Sequence, residues 1–487
     1  MLEISYKKIV KDIGVIGFSD ILSNFSGIFL IPIIIRILGV ADYGLYVQFS
    51  ISIVFIVGFA HLGLPYATVR FLSGSKNKEQ IRDDMLSSLL LVLLSSVIIS
   101  IIILLISQYL SRYLFDDFTE IAIVLAIIIP IECLSVTLQN TFRVFQEIKK
   151  FTLFKVIKIF GELFGIIIVI FLGYGVYGVV LVVLLVSTII CITLLIIVLK
   201  TIGLKRPTFK RMKEFLKFSI PTIPSNISSW VTNSSDRYLI GIFLGVLFVG
   251  FYNPAYSLGG LICTFTFPIN FVLISVVAKY YDEQKIEEVR KILKYSLKYF
   301  LILAIPSFFG LSILSKPILI LISTPELANE SYLVTPFIAF SMILTGIGAV
   351  SIGKSLYLAK KTHISMINSF IVAIINLTLN IIMIPKFGIL GAAFATAIAF
   401  LFGFIIGSYF SCKYFKFDID WFSIIKIVSA SMIMSIIIIN YHPETIIGLL
   451  GTILTGFCIY VVLILLFRTI SNEEIKFFKS FFNKNYN

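Results

Sequence analysis

Residues 38–46, Leu-Gly-Val-Ala-Asp-Tyr-Gly-Leu-Tyr, return 206 positions later as residues 244–252, Leu-Gly-Val-Leu-Phe-Val-Gly-Phe-Tyr. A second pair lies downstream: Gly175-x-x-Gly178 returns as Gly388-x-x-Gly391, 213 positions on. Each copy of the first motif follows the first long apolar segment of a set of six. Each copy of the second opens the sixth segment. The near-equal offsets read the chain as two copies of one six-helix unit. An even number of crossings returns the chain to its starting side, so the copies are parallel, related by an axis along the membrane normal. Two such bundles facing each other leave a central cleft.

That the segments are membrane spans follows from composition. Of 487 residues, 59% are apolar and only 14% charged, with mean hydropathy +1.04. A soluble domain is nearer a quarter charged, and a water-exposed surface needs more polar side chains than this chain has. Apolar runs separated by charge clusters predict fourteen spans, near 13–37, 43–68, 85–108, 119–142, 152–172, 176–199, 215–240, 247–278, 296–323, 332–357, 364–384, 388–411, 422–440 and 445–467. The runs are continuous, whereas a membrane barrel requires alternation. The expectation is an all-α polytopic membrane protein divided into 1–205, a first six-helix bundle, 206–415, a second, and 416–487, two extra helices and a tail.

Lys and Arg set the orientation. With the N-terminus inside, 35 of the 40 basic residues fall on inward segments, and only Arg36, Arg112, Arg237, Lys316 and Lys386 fall outside. One miscounted span early in the chain would destroy that bias. The net charge of +14 is then a topology signal with attraction to anionic lipid, and no nucleic-acid partner is needed. The five cysteines, Cys133, Cys191, Cys263, Cys412 and Cys458, form no CxxC pair, and His61, His363 and His442 share no metal-ligand spacing. No metal or cofactor is expected.

Polar residues inside lipid are costly and usually face protein or water. Here they fall on stripes. In span 215–240, Ser219, Thr222, Asn226, Ser229, Asn233 and Arg237 lie within about 80° on a helical wheel, with Asp236 beside them. Asn253, Ser257, Gly260 and Thr264 form a stripe in the next span, Glu132, Gln139 and Arg143 another in span 119–142, and Ser369, Asn376 and Asn380 another in span 364–384. Asp20, Ser23, Asn24 and Gly27 cluster in the first span, and Glu162 lies in the fifth. Small and polar residues also serve as helix glue, and a surface ion pair is an alternative for Asp236 and Arg237. Arg70, Arg143 and Lys354 sit near the inner boundary, where snorkelling is a competing role. His61 reads as a packed or interfacial residue. Pro32, Pro65, Pro130, Pro221, Pro224, Pro254 and Pro268 are expected to kink spans or lie near their ends.

One catalytic pattern matches. Gly348-Ala-Val-Ser-Ile-Gly353-Lys354-Ser355 fits the phosphate-loop formula, but that chemistry needs a strand, a helix and a soluble α/β domain around it. The match lies in continuous apolar sequence, so its glycines are expected to allow close helix approach. No H-E-x-x-H or G-x-S-x-G is present.

Several segments resemble one family. Ile31-Pro32-x-x-x-Arg36-x-Leu38-Gly39 followed by Asp42-Tyr43-Gly44-Leu45-Tyr46 is similar to the start of polysaccharide-biosynthesis flippases. So are Gly63-Leu64 with Ala67-Thr68-Val69-Arg70-Phe71, Ser234-Ser235-Asp236-Arg237-Tyr238-Leu239-Ile240-Gly241, Gly250-x-Tyr252-x-x-Ala255-Tyr256-Ser257, and Gly388-x-x-Gly391-Ala392-Ala393-x-Ala395-Thr396. These resemble the Wzx-like members of the multidrug/oligosaccharidyl-lipid/polysaccharide (MOP) exporter superfamily. The resemblance implies a V-shaped, MATE-like pair of six-helix bundles in the cytoplasmic (inner) membrane, both termini cytoplasmic. It implies alternating access that moves lipid-linked oligosaccharide from the inner to the outer leaflet, driven by Na+, H+ or membrane potential. Relatives suggest acids in the first and seventh helices for coupling, and a shelter for the lipid tail at the last two helices.

The expected substrate is a polyprenyl-(pyro)phosphate-linked saccharide. Arg237, Arg70 and Arg143 are candidates for phosphate or sugar-acid oxygens, because the guanidinium fork matches them. Asn226, Asn233, Asn253 and Gln139 are candidates for sugar hydroxyls. Asp20, Glu132, Glu162 and Asp236 are candidates for ion coupling, the first three alternatively for internal pairing with arginine. Expected partners are that substrate, membrane lipids, and polysaccharide polymerase and assembly proteins. The alternatives are a MATE-type multidrug/cation antiporter, a membrane glycosyltransferase or oligosaccharide polymerase, and a non-transporting scaffold.

Overall fold

The computed structural model describes residues 6–75, 77–441, 443–470 and 474. His442 and most of the last basic cluster lie outside them. No strand occurs among the described residues. The helices are α1 (Tyr6–Leu38), α2 (Val40–Ala60), α3 (Leu64–Leu72), α4 (Lys78–Leu105), α5 (Ser107–Leu114), α6 (Thr119–Val144), α7 (Ile148–Phe171), α8 (Gly175–Ile202), α9 (Met212–Ser219) and α10 (Ile223–Leu244). They continue with α11 (Val246–Gly260), α12 (Thr266–Asp282), α13 (Ile286–Ile322), α14 (Pro325–Ser331), α15 (Val334–Ile347), α16 (Gly353–Leu358), α17 (Thr362–Tyr414), α18 (Trp421–Ile438) and α19 (Ile446–Leu466). Side chains cap several starts. The Asn77 amide oxygen accepts from the Glu79 and Gln80 backbone N–H groups at α4, and Thr445 accepts from Gly448 at α19.

Eleven helices among the described residues are long and apolar enough to cross a membrane. The sequence expectation of fourteen exceeds that number at three places. The segment 152–172 falls in α7, which carries Lys149, Lys150, Lys155, Lys158 and Glu162. The segment 215–240 is split among α9, a 3-10 turn at Ile220–Thr222, and α10 with its polar stripe. The expected spans 364–384 and 388–411 both lie in α17, whose backbone breaks at Gly388. Outward faces carry bare apolar side chains such as Leu105, 79% exposed, and Ile447, 84% exposed, which only a hydrocarbon solvent makes favourable. This is a multi-pass membrane protein.

The internal repeat is written in the backbone. Gly39 and Gly245 adopt nearly the same conformation, φ +102 and ψ 170 against φ +94 and ψ 167. Gly175 and Gly388 again agree, with φ +59 and φ +61. L-side chains are strained at such angles, so the motif glycines are what end one helix and start the next in both copies.

By contacts the chain divides into two compact units, 1–254 with 366–399, and 255–365 with 400–487. In the first, α6 packs between α4 and α8, α7 packs on α1 and α8, and α2 packs on α10. In the second, α13 packs on α15, α18 and α19. There Lys298, 3% exposed, donates to Glu474 at 2.6 Å and lies 3.5 Å from Asp420, the cap of α18. Burial works against the charge of Asp420, but the Ser423 donors and Lys298 outweigh it and hold the carboxyl below its ordinary range.

The prolines fall within or near the ends of helices as expected, whereas Gly348 and Gly353, expected to allow close helix approach, meet no other helix within 4 Å of a Cβ. Pro65, Pro221 and Pro224 stand in the first turn of their helices, where no intrahelical N–H is lost, while Pro32, Pro130 and Pro254 are truly internal. The phosphate-loop match forms a π-helical turn, Gly348–Ile352, running into α16, so its amides are spent within the helix and make no phosphate cradle. His61 is buried, as a packed histidine would be.

Candidate functional site

Three polar features lie within the first unit. The first is an ion network among α1, α6, α7 and α8. Lys155 donates to Asp20, and Lys158 and the Ser187 hydroxyl both donate to Glu132. Glu162, one turn further along α7, lies 3.9 Å from Lys158. The acids therefore pair with lysine, whereas the sequence pointed to arginine. The sequence counts Lys155 and Lys158 among the basic residues of an inward segment, at the start of the expected span 152–172. In the fold they form one face of a helix, spaced three apart, turned toward acids on α1 and α6. Replacing Lys158 with Met leaves Glu132 and Glu162 near each other without a cation. It is expected to cost about 3 kcal/mol or more, read as a lower unfolding temperature in detergent, and Glu132→Leu in the same protein should recover most of the loss.

The second feature is a knot around α10. Asp236 and Arg237 are 2% and 6% exposed, so a surface ion pair is excluded. Arg237 donates from Nε to the Asn253 side chain at 2.8 Å and from Nη1 to the Asn233 carbonyl at 2.7 Å. Tyr252 donates to Asp236 at 2.7 Å, and Asn253 donates to the Tyr43 hydroxyl at 2.6 Å. Next to it, Ser235 donates to Asn376, Asn376 donates to Thr396, and Asn380 donates to Asn376. The remaining amide oxygen of Asn380 is buried without a hydrogen-bond partner.

The third is a cavity of about 310 Å³ between α2 and α10, with Asn226, Ser229, Trp230 and Asn233 on one wall and Phe55 and His61 on the other. The Trp230 indole donates to the Ile51 carbonyl at 3.2 Å and lies 4.2 Å from the Phe55 ring.

The remaining candidates stand apart. Gln139 donates its amide to the Phe151 carbonyl at 2.9 Å. Arg143 donates to Asn140 and lies over the Phe151 ring, 5.8 Å from its centroid. Arg70 and Arg143 are exposed in the last turns of α3 and α6, where a cation is stabilised by the negative end of the helix dipole. Sequence reasoning assigned no role to Trp230, and to Lys155 and Lys158 only a share in the inward basic charge. The signal for Trp230 was present, because positions 226, 230 and 233 share a helix face.

A repeated, all-helical chain with bare apolar outward faces and charges paired inside defines a polytopic membrane protein. Solved structures agree on that fold. A lipid II flippase, MurJ, in an inward closed conformation superposes with TM-score 0.75 over 93% of this chain and 98% of its own, at 21% identity. An inward-facing MATE-family multidrug resistance transporter of the MOP superfamily gives 0.65 over 85% and 96%, at 17% identity. Residues 33–326 match the polysaccharide biosynthesis protein family, and the chain belongs to it. Two curated relatives come from Haloferax volcanii. A probable low-salt glycan biosynthesis flippase, Agl15, is 26% identical over 56% of this chain and 58% of its own length. A probable flippase, AglR, is 26% identical over 37% of each. The chain thus spans little more than half of the first relative and over a third of the second.

Proposed function

We propose that the protein carries a polyprenyl-(pyro)phosphate-linked oligosaccharide, a polysaccharide repeat unit, from the inner to the outer leaflet of the cytoplasmic membrane by alternating access. The observation that carries this reading is the buried Asp236–Arg237–Asn253 knot beside a polar cavity, in a member of the polysaccharide biosynthesis protein family. A hydrated anionic headgroup crosses about 30 Å of hydrocarbon only if protein groups replace its water. Arg237 would exchange part of its bonding to Asn253 for a phosphate oxygen, with Arg70 and Arg143 meeting the headgroup on entry. Asn226, Asn233, Asn253 and Gln139 would hold hydroxyls. Asp20, Glu132, Glu162 and Asp236 would couple transport to H+ or Na+. In the second unit a cavity of about 370 Å³, lined by Pro306, Gly310, Met434, Ile438 and Phe457, offers the lipid tail an apolar path along α13, α18 and α19. Both termini lie in the cytoplasm in this reading, and polymerase and assembly proteins act on the product.

Depletion of the protein should make lipid-linked saccharide accumulate in the inner leaflet, scored by leaflet-selective labelling. Unchanged leaflet distribution would refute the proposal. The MATE likeness favours a second reading, drug/cation antiport, and energy-dependent dye efflux from cells would support it instead.

A further inference from the structure

We propose that the cavity between α2 and α10 is a subsite for an uncharged sugar residue, with Trp230 as its platform. The proposal rests on the flippase reading and names the part of the headgroup this site takes. Among the described residues, none of those lining the cavity is Asp, Glu, Lys or Arg. A phosphate or a sugar acid placed there would lose its water without gaining a counter-ion, which costs several kcal/mol. An uncharged, hydroxyl-rich ring has no such penalty, and it needs an apolar face together with several amide and hydroxyl groups. The cavity supplies both, and its volume falls at the low end of small-ligand sites.

The platform is held in place before any ligand arrives. The Trp230 indole N–H is bonded to the Ile51 carbonyl, Phe55 packs 4.2 Å away, and Tyr238 meets it edge-on at 5.2 Å. A fixed aromatic ring binds without further loss of rotamer freedom. His61 is likewise committed. Its Nδ1 accepts the Gly63 N–H at 3.0 Å, which puts the ring proton on Nε2 and makes that atom a donor for a hydroxyl or acetamido oxygen. Asn226 offers both a donor and an acceptor, and Asn233, two turns along α10, is set in place by its own amide, which donates to the Ser229 carbonyl at 2.7 Å. This division of labour leaves the charged end of the substrate to arginine and reserves the cavity for sugar identity.

The chain has two tryptophans, and the other, Trp421, stands exposed at the start of α18. In the full-length Trp421→Phe protein in detergent, fluorescence therefore reports Trp230 alone. Titration with chitobiose, and separately with maltose, is expected to give a saturable change for at least one of them. Inorganic pyrophosphate at equal concentration should give none. An Asn226→Ala/Asn233→Ala variant that melts at the parent temperature should weaken the sugar response at least ten-fold. A silent Trp230 with both sugars, a pyrophosphate response equal to that of the sugars, or an undiminished response in the double variant would overturn the subsite. Leaflet labelling of the same proteins in vesicles separates the two readings. Saccharide flipping with a silent Trp230 sinks only the subsite, whereas a sugar-responsive Trp230 without flipping sinks only the flippase.

Discussion

Alanine at Gly44 is expected to disrupt the protein as severely as any single methyl group can. A Cβ there would stand 2.0 Å from the Val246 carbonyl oxygen and 2.9 Å from its carbon. Alanine at Gly250 would stand 2.2 Å from the Val40 carbonyl oxygen. Both obstacles are backbone, so no rotamer change relieves them and α2 and α11 must move apart. Overpacking ordinarily costs about 1–3 kcal/mol, and a backbone clash of this depth belongs at or above the top of that range. The contact is also reciprocal. Val40 lies four residues before Gly44, and Val246 lies four residues before Gly250, so each repeat presents the same patch to the other, as an isologous interface does. Once one alanine has parted the helices, the second has less to destroy. The Gly44→Ala/Gly250→Ala protein should therefore lose less stability than the two single losses combined. Thermal unfolding in detergent tests this, with Gly451→Ala as control. Nothing lies within 4 Å of a Cβ at Gly451, and alanine in α19 should be neutral or stabilising by up to about 1 kcal/mol. Equal unfolding temperatures for Gly44→Ala and Gly451→Ala would remove the close crossing from this account.

Arg237→Met should be nearly as damaging, for an electrostatic reason. It strands the Asp236 carboxylate, 2% exposed, with the Tyr252 hydroxyl but without its cation, 3.8 Å away. Breaking a buried pair from one side costs about 3–5 kcal/mol, whereas replacing both partners is often neutral. The Asp236→Asn/Arg237→Met protein should therefore recover most of the stability lost by the single variant. Its transport then separates the two roles of the arginine. A stable double variant that still exports no polysaccharide, beside an Asp236→Asn single variant that exports normally, places Arg237 in contact with substrate, while normal export by the double variant reduces it to a strut for α10 and α11.

The repeat shows how far one sequence can be read. Gly39 with Gly245, and Gly175 with Gly388, stood out by spacing alone, and the backbone repeats at each pair. A glycine at a left-handed turn is a local requirement, so it leaves a mark in the sequence without any partner. Gly44 and Gly250 recur at the same spacing, but their reciprocal approach could not be read from it, because their helical conformation is ordinary and the obstacle comes from another helix. The same limit explains Lys155 and Lys158. Their charges count toward topology within the expected span 152–172, and only the acids that α1 and α6 bring to α7 give them partners inside a bundle. Trp230 lay on the right helix face, but the sequence does not record that Phe55 and His61 close a cavity around it.

Membrane residence, all-helical structure, the doubled architecture and the family motifs were thus decided by the sequence alone. Each depends on composition, on chain-local conformation or on spacing along one helix. Which lysine answers which acid, which glycine lets two helices touch, and where polar side chains enclose a cavity were decided only in three dimensions. A buried charge or void takes its energy from what surrounds it, and those surroundings come from distant parts of the chain.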